Sequence, residues 1–357
     1  MMKILDWYII RKFLGTYVFA IFLILSITVM FDINEKLDAF LKAPLKETIF
    51  DYFLNFLPYF ANQFSPLFTF IAVIFFTSKL ADNSEIIAML STGMSYRRLL
   101  RPYMISATVI AALTFVLSAY IIPPANVKRI DYTNTYVKNK RVDYGTNIQL
   151  QVAKGEIAYM SRYDNLQKTG YKFSLESFDG KTLVSRLTAQ SIRWDTLHNW
   201  TVRDYMIRDF DGQRERIRRG SRLDTVIPFE PRDFLISKND QEMLTSPALN
   251  EYITRQKERG VANIKSFEIE MHKRYAMTAA AFILTVIGMS LSSRKVKGGM
   301  GVNIGIGLVL SFSYILFMTV TSTFAVSGYT SPMIAMWIPN IIYTFIAIYL
   351  YYRVSHA

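Results

Sequence analysis

The stretch 79–102, KLADNSEIIAMLSTGMSYRRLLRP, decides how this chain is read, because it is polar and helical yet lies between two runs long and apolar enough to cross a membrane. Asp82, Asn83 or Ser84 is suited to cap a short helix at about 83–92. Glu85 falls in its first turn, where the helix dipole favours a negative charge, and Ile86, Ile87, Met89 and Leu90 supply an apolar side. Gly93 is expected to end it, and Pro102 to open the next apolar run as a first helical residue. Arg97, Arg98 and Arg101 place the segment on the cytoplasmic side. A helix pinned between two spans can carry force from a partner. It can also lie on the lipid surface as a connecting element, and these residues alone leave both readings open.

Working outward, residues 13–31 carry no charge and suffice for a first span at about 1.5 Å per residue. Residues 32–47 read as a mixed-charge outer loop. A second span over 52–77 holds Pro58, Asn62, Gln63 and Pro66, which suit a face turned to protein or a cavity. A third, 103–122, is expected to stop at Pro123 and Pro124. Three more follow late in the chain: 275–291, one opening at Gly298, Gly299 and Gly301, and 333–352. Between the two groups, frequent charges and short alternating runs around Phe173, Trp200 and Val202 predict an inserted all-β domain of sandwich, jelly-roll or curved-sheet type. The division is therefore 1–123 for spans one to three, 124–263 for the β domain and 264–357 for spans four to six. Lys3, Arg11, Lys12, Lys79, Arg97, Arg98, Arg101, Arg294, Lys295, Lys297 and Arg353 outweigh Asp6, Asp82 and Glu85 on one side, so both termini are expected in the cytoplasm and the β domain outside.

Composition agrees with a multi-pass membrane protein. Of 357 residues 51% are hydrophobic, with 26 Phe and 22 Tyr, too apolar for an ordinary soluble domain. The net charge of +13 lies beside apolar runs, which favours anionic lipid over nucleic acid. Without cysteine there is no disulfide, thiolate nucleophile or Cys-based metal site. Gly180, Lys181 and Thr182 match the end of a phosphate loop, but Leu175 stands where its first glycine belongs. His198, His272 and His356 lack metal-ligand spacing, and no nucleophile elbow is present. The chain thus carries no recognisable enzyme chemistry of its own.

Two constellations remain. Lys36, Lys42, Lys128 and Arg129 flank the outer ends of spans and could converge on a lipid phosphate, or pair in water with Asp32, Asp38 and Asp131. Gly298, Gly299, Gly301 and Gly305 could let a helix pivot as a gate, or simply allow close packing with Gly307, Ser311 and Ser313. In the β domain Phe173, Trp194, Tyr205 and Phe210 could line an acyl groove or fill a core.

Taken in order, SEIIAMLSTGMSYRRLLRP (84–102), EIEMHKRYAMTAA (268–280), SSRKVKGGMG (292–301) and WIPN (337–340), set around one β domain, resemble the lipopolysaccharide-export permeases LptF and LptG over the whole chain. The resemblance implies the membrane half of an ABC transporter in the bacterial inner membrane. A second LptF/LptG-type permease pairs with it, and an LptB-type ATPase dimer, which holds the ATP and Mg, binds below. Periplasmic β-jellyrolls pass lipopolysaccharide to LptC and an LptA bridge. It implies no cofactor on this chain and no nucleic acid. Glu85 matches the family's coupling-helix glutamate, with Ile86, Met89, Arg97 and Arg98 beside it as further ATPase-coupling candidates. The four basic residues match the headgroup region by location only. Two other classes compete: a secondary transporter, which needs a charge near mid-span that the sequence lacks, and a non-transporting scaffold or mechanical signaller. A copurifying ATPase distinguishes the first reading from both.

Overall fold

The computed structural model describes residues 4–137, 144–212, 214–231, 240–258, 264–294 and 299–356. Two compact units emerge: one comprises Met1–Asn139, Glu242–Leu249 and Lys265–Ala357, the other Lys140–Gln241 and Asn250–Ile264.

In the first unit the long apolar runs become helices. They are α1 (Ile4–Glu35), α5 (Ser65–Asp82), α7 (Tyr96–Val116), α10 (Lys265–Ser292), α11 (Gly299–Val326) and α12 (Pro332–Ser355). With α7 carried on through Val137, the described residues contain 6 helices long and apolar enough to cross a membrane. α5 is the hub. Its Phe68, Ala72, Phe76 and Leu80 recur every fourth residue against Ile9, Phe13 and Tyr17 of α1 and Leu99, Tyr103 and Ile110 of α7. Phe70 and Ile74, on its other face, pack with Ala280 and Leu284 of α10, Tyr314 of α11 and Tyr343 of α12. The three-plus-three arrangement of spans is joined through α5 and through α10, which packs on both α5 and α7.

Lipid gives apolar surfaces no reason to leave it for one another, so close packing and buried hydrogen bonds must hold these helices together. Gly288 of α10 supplies the first: a Cβ there would lie 2.9 Å from Val73 Cγ1 and 3.1 Å from its stiff Cβ. Asn340 supplies the second, donating to the Ala276 carbonyl at 2.8 Å and accepting from the Tyr314 hydroxyl at 2.8 Å.

Several expected boundaries shift, each for a local reason. Residues 32–47 are mostly helical, through the end of α1, α2 (Leu37–Lys42) and α3 (Leu45–Glu47), rather than a loop. The second span is broken: α4 (Leu54–Gln63) stops at Phe64 and α5 restarts with Pro66 in its first turn, where the missing N–H costs nothing. Pro123 and Pro124 do not end the third span. A π-helical segment, Leu117–Ile121, precedes them, and they occupy the first turn of α8 (Ile122–Tyr132). The region from 124 to 137 is consequently helical, and the sheet begins only at Tyr144.

The second unit is a six-stranded antiparallel sheet in the order β1-β2-β3-β4-β5-β6. Its strands are β1 (Tyr144–Ala153), β2 (Glu156–Asp164), β3 (Thr169–Asp179), β4 (Thr182–Thr196), β5 (Asn199–Asp211) and β6 (Arg214–Val226). The expected inserted β domain is present, as a meander among the described residues. Alternation puts Ile148, Leu150, Met160, Phe173, Ile192 and Val202 into one core. Trp200 closes it, stacked on Phe229 at 4.5 Å and donating to the Phe229 carbonyl at 3.0 Å. Phe173 is therefore core, with Trp194 and Tyr205 packed at its margin. The chain leaves through α9 (Ser246–Glu258), which starts at the Ser-Pro pair; the stop read at Gly260 lies outside the described residues.

Candidate functional site

At one end of the first unit, α6 (Glu85–Ser91) forms between α5 and α7. α5 runs on to Asp82, and Ser84 turns the chain with φ of 61° without a side-chain cap. Glu85 is held at both oxygens, accepting from the Tyr8 hydroxyl of α1 at 3.1 Å and from Asn83 Nδ2 at 3.2 Å. One face of α6 is fastened: Ile86 is 1% exposed, and Met89 and Leu90 pack on the α1–α5–α7 core. Ile87, Ala88 and Ser91 face outward and are exposed. This sorts the coupling candidates. Ile86 is a buried anchor, Met89 is half-buried against the same core, and Ile87 and Ala88 supply the free face.

The base of α6 is equally tied down. Gly93, at φ of 85°, ends the turn after it. Ser95 caps α7 by accepting the Arg98 N–H at 3.3 Å, so Pro102 lies inside α7 rather than at its first position. Arg98 Nη2 bonds Asp6 Oδ2 at 2.6 Å, and Asp6 is buried, so this guanidinium is a clamp between α7 and α1. The Tyr96 hydroxyl donates to Ser293 Oγ at 3.2 Å, adding the end of α10. Arg97 is exposed. A push on α6 therefore meets α1, α5, α7 and α10 as one body.

The other end of the unit holds a cavity of about 40 Å³, large enough for two or three waters, lined by Tyr59, Asn62, Asn126, Glu242, Glu270, Lys273 and Arg274 among others. Arg274, 4% exposed, donates to Glu270 Oε1 at 3.0 Å and to Ser246 Oγ at 3.0 Å. Lys273 Nζ donates to Gln63 Oε1 at 3.0 Å. Arg129 stacks 4.2 Å over the Tyr59 ring, donates to Asn126 Oδ1 at 2.9 Å and reaches Glu242 at 3.5 Å. Burial, with Glu270 nearby, holds the Glu242 carboxyl above the usual carboxylate range; the long pair with Arg129 does not offset this. Protonated Glu242 thus favours the folded state, a contribution complete below the unfolded carboxylate value and lost as pH rises through the raised one. Asn62 and Gln63 do face a cavity, as their polarity within a span implied.

Of the headgroup candidates, Lys36 and Arg129 are engaged and Lys42 and Lys128 are exposed. Lys36 pairs with Asp32 and donates to the Tyr52 hydroxyl at 2.6 Å, beside the aromatic cluster of Tyr52, Phe56 and Tyr132. Among the described residues no hydrogen bond, ion pair or ring contact joins the four. Charge reversal at Lys36 would leave the buried Asp32 facing a second carboxylate and is expected to cost roughly 3–5 kcal/mol in detergent unfolding. Lys42→Glu is expected to stay within about 0.5 kcal/mol, so it reports headgroup binding without a folding defect. As for the glycines, a Cβ at Gly301 or Gly305 meets nothing within 4 Å, so neither packs within this chain, whereas Gly307 abuts Ile74. Gly299 opens α11, and Gly298 lies outside the described residues.

Sequence reading missed the roles of Asp6, Tyr8 and Glu242. An acid flanked by apolar residues in the first turn of α1 was the available signal for Asp6; nothing local marks Tyr8 or Glu242.

No curated protein matches the chain. The family model described as "Lipopolysaccharide export system permease LptF/LptG" matches residues 7–353, which includes α6, Arg98 though not its partner Asp6, the β insertion and all but the outermost residues of the six spans. With nearly its whole length so matched, the chain belongs to the LptF/LptG family of lipopolysaccharide export permeases.

Proposed function

We propose that this chain is one membrane half of an ATP-driven lipopolysaccharide extractor, with α6 as the helix that receives force from a separate ATPase. The observation that carries this reading is the construction of α6: Ile86 is sunk in the core and Glu85 fixed by two donors, while Ile87, Ala88 and Ser91 remain uncovered. An amphipathic helix resting on lipid would turn its apolar face outward. Here most of that face is spent on the bundle. ATP-driven closure of two ATPases presses α6, and the body clamped to it moves. A cavity between this chain and a second permease narrows, and lipid leaves toward the periplasmic β domains, LptC-type and LptA-type acceptors and the outer membrane. The charge asymmetry supports cytoplasmic termini and a periplasmic β domain.

The charged cavity favours a second reading, ion-coupled secondary transport. Against it, Glu270, Lys273 and Arg274 lie within the first three turns of α10, and Arg274 is locked to Glu270 and Ser246. A stapled cluster at a helix end suits structure better than ion passage.

Mild-detergent purification followed by mass spectrometry of bound chains and lipids tests the proposal. A nucleotide-binding chain and a phosphorylated, multiply acylated lipid are expected; transport driven by an ion gradient with no nucleotide-binding chain present would establish the second reading instead.

A further inference from the structure

The sheet of the β domain has a second face. Ile192 and Val202 point into the core, so Ser191, Arg193 and Arg203, their neighbours along β4 and β5, stand on the opposite side. Gly170 likewise faces Ile192 and Met160, which turns Thr169 and Tyr171 of β3 outward. With Gln167 from the β2–β3 turn, these residues line a recess of about 490 Å³. Register fixes their order: Tyr171, Ser191 and Arg203 lie side by side on β3, β4 and β5, and Arg193, two residues beyond Ser191, is diagonal to Arg203.

The groups left free in this recess are donors. The Tyr171 hydroxyl donates to Gln167 Oε1 at 2.9 Å and the Thr169 hydroxyl to the Gln167 backbone carbonyl at 2.8 Å, so the Gln167 side chain keeps its amide N–H groups for a ligand. Gln167 is itself set in place by Asp164, whose Oδ1 accepts the N–H groups of Leu166 at 2.9 Å and Gln167 at 3.2 Å. The side chains of Ser191, Arg193 and Arg203 have no hydrogen-bond, ion-pair or ring partner among the described residues. No carboxylate lines the recess. Of the acids around it, Asp195 and Asp224 both accept from the Thr201 hydroxyl at 2.8 Å and Asp224 also pairs with Arg222, while Asp204, beside Arg203, forms no ion pair. Arg203 lies directly opposite Arg222 on β6 and diagonal to Arg193, a crowding of like charge that an anion would relieve. Lys168, Lys172 and Asp204, each next to a lining residue, hold φ of 50°, 52° and 51°, a conformation costly for residues other than glycine.

Two guanidinium forks and two neutral donors suit an anion with three oxygens better than the two of a carboxylate. The recess is also larger than a phosphate, and Tyr171, half-buried with Arg162 5.2 Å over its ring, supplies an aromatic wall for whatever carries the anion. We propose that this recess binds a phosphate group carried on a sugar. Arg193 and Arg203 hold the phosphate, Ser191 and Gln167 donate to its remaining oxygens, and the sugar ring lies against Tyr171. An acidic segment of another protein is the competing occupant. Its carboxylates would leave part of the donor set unmatched.

Isothermal titration calorimetry on the full chain in phosphatidylcholine nanodiscs provides the test, with glucose 6-phosphate, inorganic phosphate, glucose and a hexaglutamate peptide as probes. Glucose 6-phosphate is expected to bind more tightly than inorganic phosphate, and glucose to bind too weakly to measure. Arg193→Gln and Arg203→Gln should each weaken glucose 6-phosphate about tenfold, the loss of a charge-assisted contact. Arg214→Gln, at the far end of β6, should leave it unchanged. All three arginines are exposed, so the variants should fold. Equal affinity for inorganic phosphate would name free phosphate as the ligand and overturn the sugar contact. The whole proposal would be overturned by no binding of either phosphate, by preference for hexaglutamate over both, or by glucose 6-phosphate affinity unchanged in both Arg193→Gln and Arg203→Gln.

Discussion

Arg274→Met is expected to lower the unfolding free energy in detergent by roughly 3–5 kcal/mol, the cost of stripping one partner from a buried ion pair. Arg274 is 4% exposed and bonds Glu270, whose side chain is only 16% exposed, and Ser246, in the short Glu242–Leu249 segment of the same unit. Methionine fills much of the same volume, so lost packing is a minor part of the effect. The larger part is Glu270 left without its best donor beside Glu242, a second carboxylate that burial already holds above its usual range. The double variant Glu270→Gln, Arg274→Met should regain a substantial share, because no buried charge is then stranded. If Arg274→Met unfolds like the wild type, this cluster contributes nothing to the unit's stability.

Glu85→Ala should weaken assembly with the ATPase by about 10–100-fold, the range for losing hydrogen bonds to a charged group. The carboxylate sits in the first turn of α6, and its two donors, Tyr8 and Asn83, hold it in a fixed direction before any partner arrives. Tyr8→Phe removes one donor while leaving the charge, and is expected to cost only about fivefold. Asp82, the last residue of α5, makes no comparable bond among the described residues, so Asp82→Ala should change assembly little. Equal assembly by Glu85→Ala and the wild type, with stimulated hydrolysis intact, would remove Glu85 from the coupling surface.

These two sites differ in how far a sequence can announce them. α6 was legible because its signals are local: a capping cluster, a first-turn acid, a short apolar side and Gly93, all within a few residues. Which apolar residues point inward was not legible, since Ile86 and Ile87 are equally apolar and only the packing of α1, α5 and α7 separates them. Tyr8 and Glu85 lie 77 residues apart and Asp6 and Arg98 lie 92 apart, so no periodicity links them. The spans were readable from uncharged runs, but Pro123 and Pro124 misled because a π-helical segment brings them in at a first turn, where proline is tolerated. The charges preceding the fourth span looked like an edge. In the fold they lie in the opening turns of α10, where Arg274 pairs with Glu270 and donates to Ser246, and Lys273 donates to Gln63.

The proposed seating of α6 against an ATPase is most directly tested by site-specific cross-linking. The chain has no cysteine, so single cysteines can be placed at Ala88, on the exposed face, and at Leu90, on the packed face, with no background thiol. In membranes containing the whole assembly, Ala88→Cys is expected to cross-link to a nucleotide-binding chain in a manner that changes with nucleotide, while Leu90→Cys gives little product. Absence of any such product from Ala88→Cys, together with its labelling by an impermeant reagent added from the periplasmic side, would contradict both the coupling role and the orientation of the chain.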